Sequence, residues 1–100
     1  MKQVTFTPEF VETIPSELKE GVLYISKKYG ICIHLCACGC GVKTPLPIKG
    51  EGIECDEIHQ PWTITEVDGK VSLTPSIGNF SGEDPYHAHY VITDNIATFA

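Results

Sequence analysis

Between positions 32 and 40 every even residue is a soft or borderline metal ligand: Cys32, His34, Cys36, Cys38 and Cys40. The odd positions are apolar up to Ala37 and then glycine. Side chains of an extended strand alternate faces, so the pattern predicts one aliphatic stripe against a core and a Cys/His stripe on the opposite face. His87-Ala88-His89-Tyr90 repeats the same phase far downstream. Thiolate sulfur and imidazole nitrogen are the ordinary ligands of zinc, and zinc is therefore the expected cofactor. A straight strand would hold Cα atoms two residues apart at about 6.5–7 Å, whereas sulfurs sharing one zinc lie about 3.8 Å apart. Gly39 and Gly41 can take positive φ, so the chain is expected to curl after Cys38 into a knuckle.

Cys36, Cys38 and Cys40 are the expected metal ligands. His89 is the leading candidate for the fourth position, ahead of His87 and His34, with His59 and Cys55 as further alternatives. Cys32, between Ile31 and Ile33, reads as a small buried residue or a thiol behind the ligands. Catalytic zinc needs an open coordination position and a nearby base. The chain has no His-Glu-x-x-His helix, no Pro-Cys-x-x-Cys arm and no nucleophile elbow, and Glu83 and Asp84 are the only carboxylates nominated for such a role. A structural zinc is accordingly favoured over an enzyme's centre. A thiol relay through Cys36 or Cys38 is a lesser variant, and soft-metal binding such as Cu(I) another. Pro75-Ser76-Ile77-Gly78-Asn79-Phe80 reads first as a structured turn, because Ser76 and Asn79 can bond nearby backbone. Its second reading is a partner or ligand loop anchored by Phe80.

The elements that must position these residues are short and β-rich. Val4 to Thr7 reads as a strand, and Pro8 and Pro15 limit the next segment to a turn of helix around Glu9 to Glu12. Val22 to Ser26 and the ligand run, joined by Lys27 to Gly30, read as an antiparallel hairpin. The stretch from Pro45 to Pro61 is rich in proline, glycine and charge and reads as a loop carrying Cys55 and His59. Trp62 to Glu66 and Lys70 to Thr74 bracket Asp68-Gly69, whose residues suit the left-handed positions of a tight hairpin turn. A strand from about Ala88 to Thr93, a turn at Asp94-Asn95 and a short strand at Ile96 to Phe99 close the chain. No segment has helical periodicity, so the expected fold is mostly β, a compact antiparallel-sheet domain with a zinc knuckle, with a small α+β arrangement as the alternative.

One hundred residues suit one domain, 1–100, with a modest core that a metal clamp would reinforce. Seven basic against thirteen acidic residues give a formal charge of −6. Such a chain repels phosphate, and no basic run offers a footprint for nucleic acid or anionic lipid. It contains no apolar stretch of membrane-spanning length and its start lacks a signal peptide's apolar segment, so a cytoplasmic location is expected. In a reducing compartment clustered cysteines favour metal over disulfides, and the odd count of five agrees.

Several of these segments taken together resemble the domain-of-unknown-function family numbered 6527. They are Gly21-Val22-Leu23-Tyr24-Ile25-Ser26, His34-Leu35-Cys36-Ala37-Cys38-Gly39-Cys40-Gly41, Thr44-Pro45-Leu46, Pro75-Ser76-Ile77-Gly78-Asn79-Phe80 and His89-Tyr90. The resemblance covers nearly the whole chain. It implies a small bacterial or phage protein, presumed to bind metal, encoded beside a ubiquitin-like modifier and its activating and conjugating enzymes. The implied partner is a protein of that pathway and the implied role that of an accessory or interaction module. A zinc-dependent hydrolase or thiol-based enzyme of the same pathway is the alternative. Two departures stand out: His87 occupies the region where a cysteine is common, and the segment from Ile48 to Gln60 is longer than usual.

Overall fold

The computed structural model describes residues 2–39, 41–53, 61–81 and 84–99, with the side chains of 79–81 and 84–88 outside the description. Nine strands follow in order: β1 (Gln3–Thr5), β2 (Thr7–Phe10), β3 (Val22–Ser26), β4 (Ile31–Leu35), β5 (Lys43–Lys49), β6 (Trp62–Val67), β7 (Lys70–Ser81), β8 (Asp84–Thr93) and β9 (Ile96–Phe99). They form one sheet ordered β1-β9-β8-β7-β6-β5-β4-β3-β2. Its two end strands are nearly continuous in sequence. β1 pairs with β9, β2 pairs with β3, and Phe6 between them donates its N–H to Asn95 O at 2.7 Å. Residues 3–10 thus stitch both margins together and the sheet is nearly closed.

The expected β class holds, with one refinement: β2–β3 and β5–β6 are parallel, so the sheet is mixed and not purely antiparallel. The hairpin expected at Lys27 to Gly30 forms between β3 and β4, and two further expected turns form with left-handed pairs, Asp68 at φ 53° and Gly69 at 78°, then Asp94 at 50° and Asn95 at 70°. Asn95 also accepts the N–H of Val71 through its side chain at 2.7 Å, which explains asparagine there.

Three expectations are corrected. The helical turn around Glu9 to Glu12 is replaced by β2, where four residues are too few for periodicity to separate helix from strand. The loop from Pro45 is strand β5 as far as Lys49. Its prolines do not break the ladder, because Ile48 N–H to Gly30 O and Cys36 N–H to Val42 O, at 2.9 Å each, place the bonded positions at the even residues. Pro45 and Pro47 therefore aim their missing donors away from β4. Finally, Pro75 to Phe80 is not a turn but part of the twelve-residue strand β7.

The interior holds Leu23, Ile25, Ile48, Val71, Leu73, Ile77 and Ile92, all essentially inaccessible. Each such side chain contributes about 1.5–3 kcal/mol by leaving water. Among the described residues no helix is long and apolar enough to cross a membrane.

Candidate functional site

Strand β4 is inverted relative to the sequence expectation. Cys32, His34 and Cys36 are buried, while Ile31, Ile33 and Leu35 are half-exposed. The alternation was correctly read; its inward face was not, because the sheet closes around the Cys/His stripe. Burial pushes the Cys32 thiol up to about 12. His34 is held neutral, its pKa lowered to about 4 by burial.

After β4 the chain turns as expected: Gly39 N–H donates to Cys36 O at 3.0 Å and Gly39 sits at φ 89°. The turn brings Cys36 Sγ and Cys38 Sγ to 3.3 Å. It faces β8 across the interior through Tyr90, not through His89. The Tyr90 hydroxyl lies 2.6 Å from His34 Nε2 and also bonds the Ala37 main chain and the Cys36 side chain. Burial first, and then the neighbouring thiols, push this phenol well above its ordinary value. His34 Nδ1 is the one buried side-chain nitrogen or oxygen without a partner among the described residues. Of the expected ligands, Cys36 and Cys38 come together. Cys40, Cys55 and His59 lie outside the described residues, as do the side chains of His87, Asp84 and Phe80 and the whole of Glu83. Among the described residues no group of three or more His, Cys, Asp or Glu could hold an ion.

His89, next to Tyr90 on β8, points the other way. It is exposed, and its Nε2 lies 2.8 Å from Ser76 Oγ. The contact is built by an irregularity in β7. The β7–β8 register passes from Leu73↔Ile92 to Ile77↔Tyr90, so Thr74, Pro75 and Ser76 together oppose the single residue Val91. Leu73 and Ile77 both remain inside, while all three intervening residues are exposed, which a straight strand cannot achieve. The Thr74–Pro75 peptide within this bulge is cis. From the bulge Ser76 reaches diagonally to His89, whose register partner is Gly78.

With its proton on Nδ1, His89 presents Nε2 as an acceptor for the Ser76 hydroxyl, which is the arrangement of a nucleophile and its base. Sequence reasoning assigned Ser76 to a turn and His89 to a metal and did not join them. A usable signal was present, since turn-forming residues inside an otherwise strand-like run mark a bulge, and bulges re-aim side chains near active sites. A cavity of about 760 Å³ lined by Phe10, Lys27, Ile53, Ile64 and Glu66 touches neither residue of the pair.

A family model described as the bacterial ubiquitination-like system serine protease, BubE, matches residues 10–100. The match supports the association with a bacterial ubiquitin-like system, though not the 6527 family in particular. Comparison with curated proteins and with solved structures gave no match.

Proposed function

Since the chain belongs to the BubE family of bacterial ubiquitination-like systems, we propose that it is a serine hydrolase of that pathway, with Ser76 as nucleophile and His89 as general base. The observation that carries this reading is the 2.8 Å contact between Ser76 Oγ and His89 Nε2 on an exposed bulge. Ser76 Oγ attacks the carbonyl carbon of an acyl linkage while its proton passes to His89 Nε2. The same proton then goes to the leaving amine or hydroxyl as the acyl bond breaks. Water, deprotonated by His89, releases the acyl group and restores the serine. An exposed pair on the outer face of a sheet suits a linkage presented by a protein chain, so the substrate is a conjugate or precursor of the ubiquitin-like modifier. The sequence-based alternative of an enzyme in this pathway is thereby preferred over an accessory module, with serine in place of zinc or thiol as the reacting group.

The test uses a fluorophosphonate probe on the full chain. Wild-type protein takes one label at Ser76, and Ser76→Ala and His89→Ala both lose it while keeping the melting transition. Labelling that survives Ser76→Ala would overturn the assignment.

The 3.3 Å approach of Cys36 and Cys38 favours a second, compatible reading. In it these two thiolates, with Cys40 close by in sequence, hold a structural zinc that stiffens the knuckle against Tyr90. His89 is engaged with Ser76 in this reading and no fourth ligand is assigned. Metal analysis of purified protein, with Cys36→Ser and Cys38→Ser losing the zinc and Cys32→Ala keeping it, tests the proposal. Metal-free protein whose Cys36 and Cys38 alkylate freely would sink it.

A further inference from the structure

Ser76 stands where the β7–β8 ladder is interrupted, so its main chain is not placed by a register partner on β8. On the other side of β7, pairing with β6 ends at Thr63↔Thr74, two residues short of the serine. One side chain fills that gap: the Trp62 indole Nε1–H donates to Ser76 O at 3.3 Å. Trp62 is itself well placed for this. It opens β6, its backbone pairs with Ile48 of β5, and its half-buried ring packs against the core cluster. The indole therefore ties the Ser76 carbonyl to a residue packed against the core.

We infer that Trp62 is a positioning residue for Ser76, holding the bulge at the height and rotation that bring Oγ to His89. This inference rests on the serine-nucleophile reading above. Trp62 acts only through the Ser76 main chain; among the described residues it has no hydrogen bond to Ser76 Oγ or to His89. Without that donor the Ser76 carbonyl loses one restraint on its orientation, and a turn about the Cα–C bond shifts Cβ and Oγ relative to the Ile77 peptide that β8 holds. Because a displacement of about 1 Å in a reacting group costs on the order of 100-fold in rate, one hydrogen bond can matter well beyond its contribution to stability.

The experiment follows phosphonylation of the full chain. Trp62→Phe keeps an aromatic ring against the core but removes the N–H. Its maximal labelling rate is expected to fall about 10- to 100-fold, with the probe's half-saturation within about twofold and the final stoichiometry still one label per chain. A merely structural loss would lower the final stoichiometry instead of the rate. Trp62 is the chain's single tryptophan, so wild-type emission gives a second readout that needs no variant: it should change as Ser76 is labelled and stay constant in Ser76→Ala exposed to the same probe. Equal rates in wild type and Trp62→Phe, or wild-type emission that does not respond to complete labelling, overturns the role of Trp62 and leaves the nucleophile assignment standing. A wild-type chain that takes no probe overturns both.

Discussion

Two imidazole–hydroxyl pairs flank strand β8, one on each face. Inside, His34 Nε2 meets the Tyr90 hydroxyl at 2.6 Å; outside, His89 Nε2 meets the Ser76 hydroxyl at 2.8 Å. Each joins an imidazole Nε2 to a hydroxyl, a phenol inside and an alcohol outside, and the settings are opposite. His34 and Tyr90 are fully buried, and desolvation holds the first neutral and raises the second. No substrate reaches them, so their hydrogen bond can only specify packing. Ser76, on the bulge of β7, and His89 of β8 are exposed and carry little of the core. The buried pair and the exposed pair are thus separated by the thickness of one strand. Under the proposed function, what distinguishes the outer pair from the inner one is access, not the pairing itself.

Substitutions on the outer face should have the largest effect on activity. Ser76→Ala or His89→Ala is expected to reduce hydrolysis of a modifier conjugate by about 10³-fold or more, with stability changed by no more than about 0.5 kcal/mol. Conjugate cleavage and urea unfolding on the same preparations check both halves, and an equal fall in stability would erase the distinction between the two faces.

The inner pair should respond to acid. His34 is neutral in the folded chain, with a pKa of about 4 against 6.5 when unfolded. The unfolded state therefore binds the extra proton between these values. Stability should be complete above about pH 6.5, decline as the pH falls towards 4 and level off below it, by roughly 3 kcal/mol in total. Urea titrations of wild type and His34→Leu across that window measure it, and the slope should be absent from the variant.

Tyr90→Phe strips the partner from His34 Nε2 and should destabilise by about 1–3 kcal/mol. The double variant with His34→Leu should recover part of that loss, because both polar groups are then gone. Additive losses would mean that the two residues do not act as a pair. Smallest of all, Lys28→Ala removes a 2.7 Å ion pair with Glu12 that is exposed on both sides. It should change stability by less than about 1 kcal/mol, setting the baseline for a surface contact.

The difference between the two faces also separates what was legible in the chain. Asp68-Gly69 and Asp94-Asn95 announced their turns because local sterics decide which residues tolerate positive φ. The alternation of β4 and the curl at Gly39 were equally readable, as was the predominance of strand. Pro45 and Pro47 misled because a proline's cost depends on whether a neighbouring strand needs its N–H, and that neighbour is not local.

By itself, then, the sequence determined the β class, the hairpins, the turn at Gly39 and the two-residue rhythm that sets His89 and Tyr90 on opposite faces. Only the tertiary structure decided which of those faces is inside. Period-two patterning fixes alternation but carries no sign when both stripes are of mixed character, and closure of the sheet supplies the sign. Tertiary pairing likewise decided that three residues of β7 would oppose one of β8. A bulge exists only as a mismatch between two strands, so the contact of Ser76 with His89, thirteen residues apart, belongs to neither strand alone.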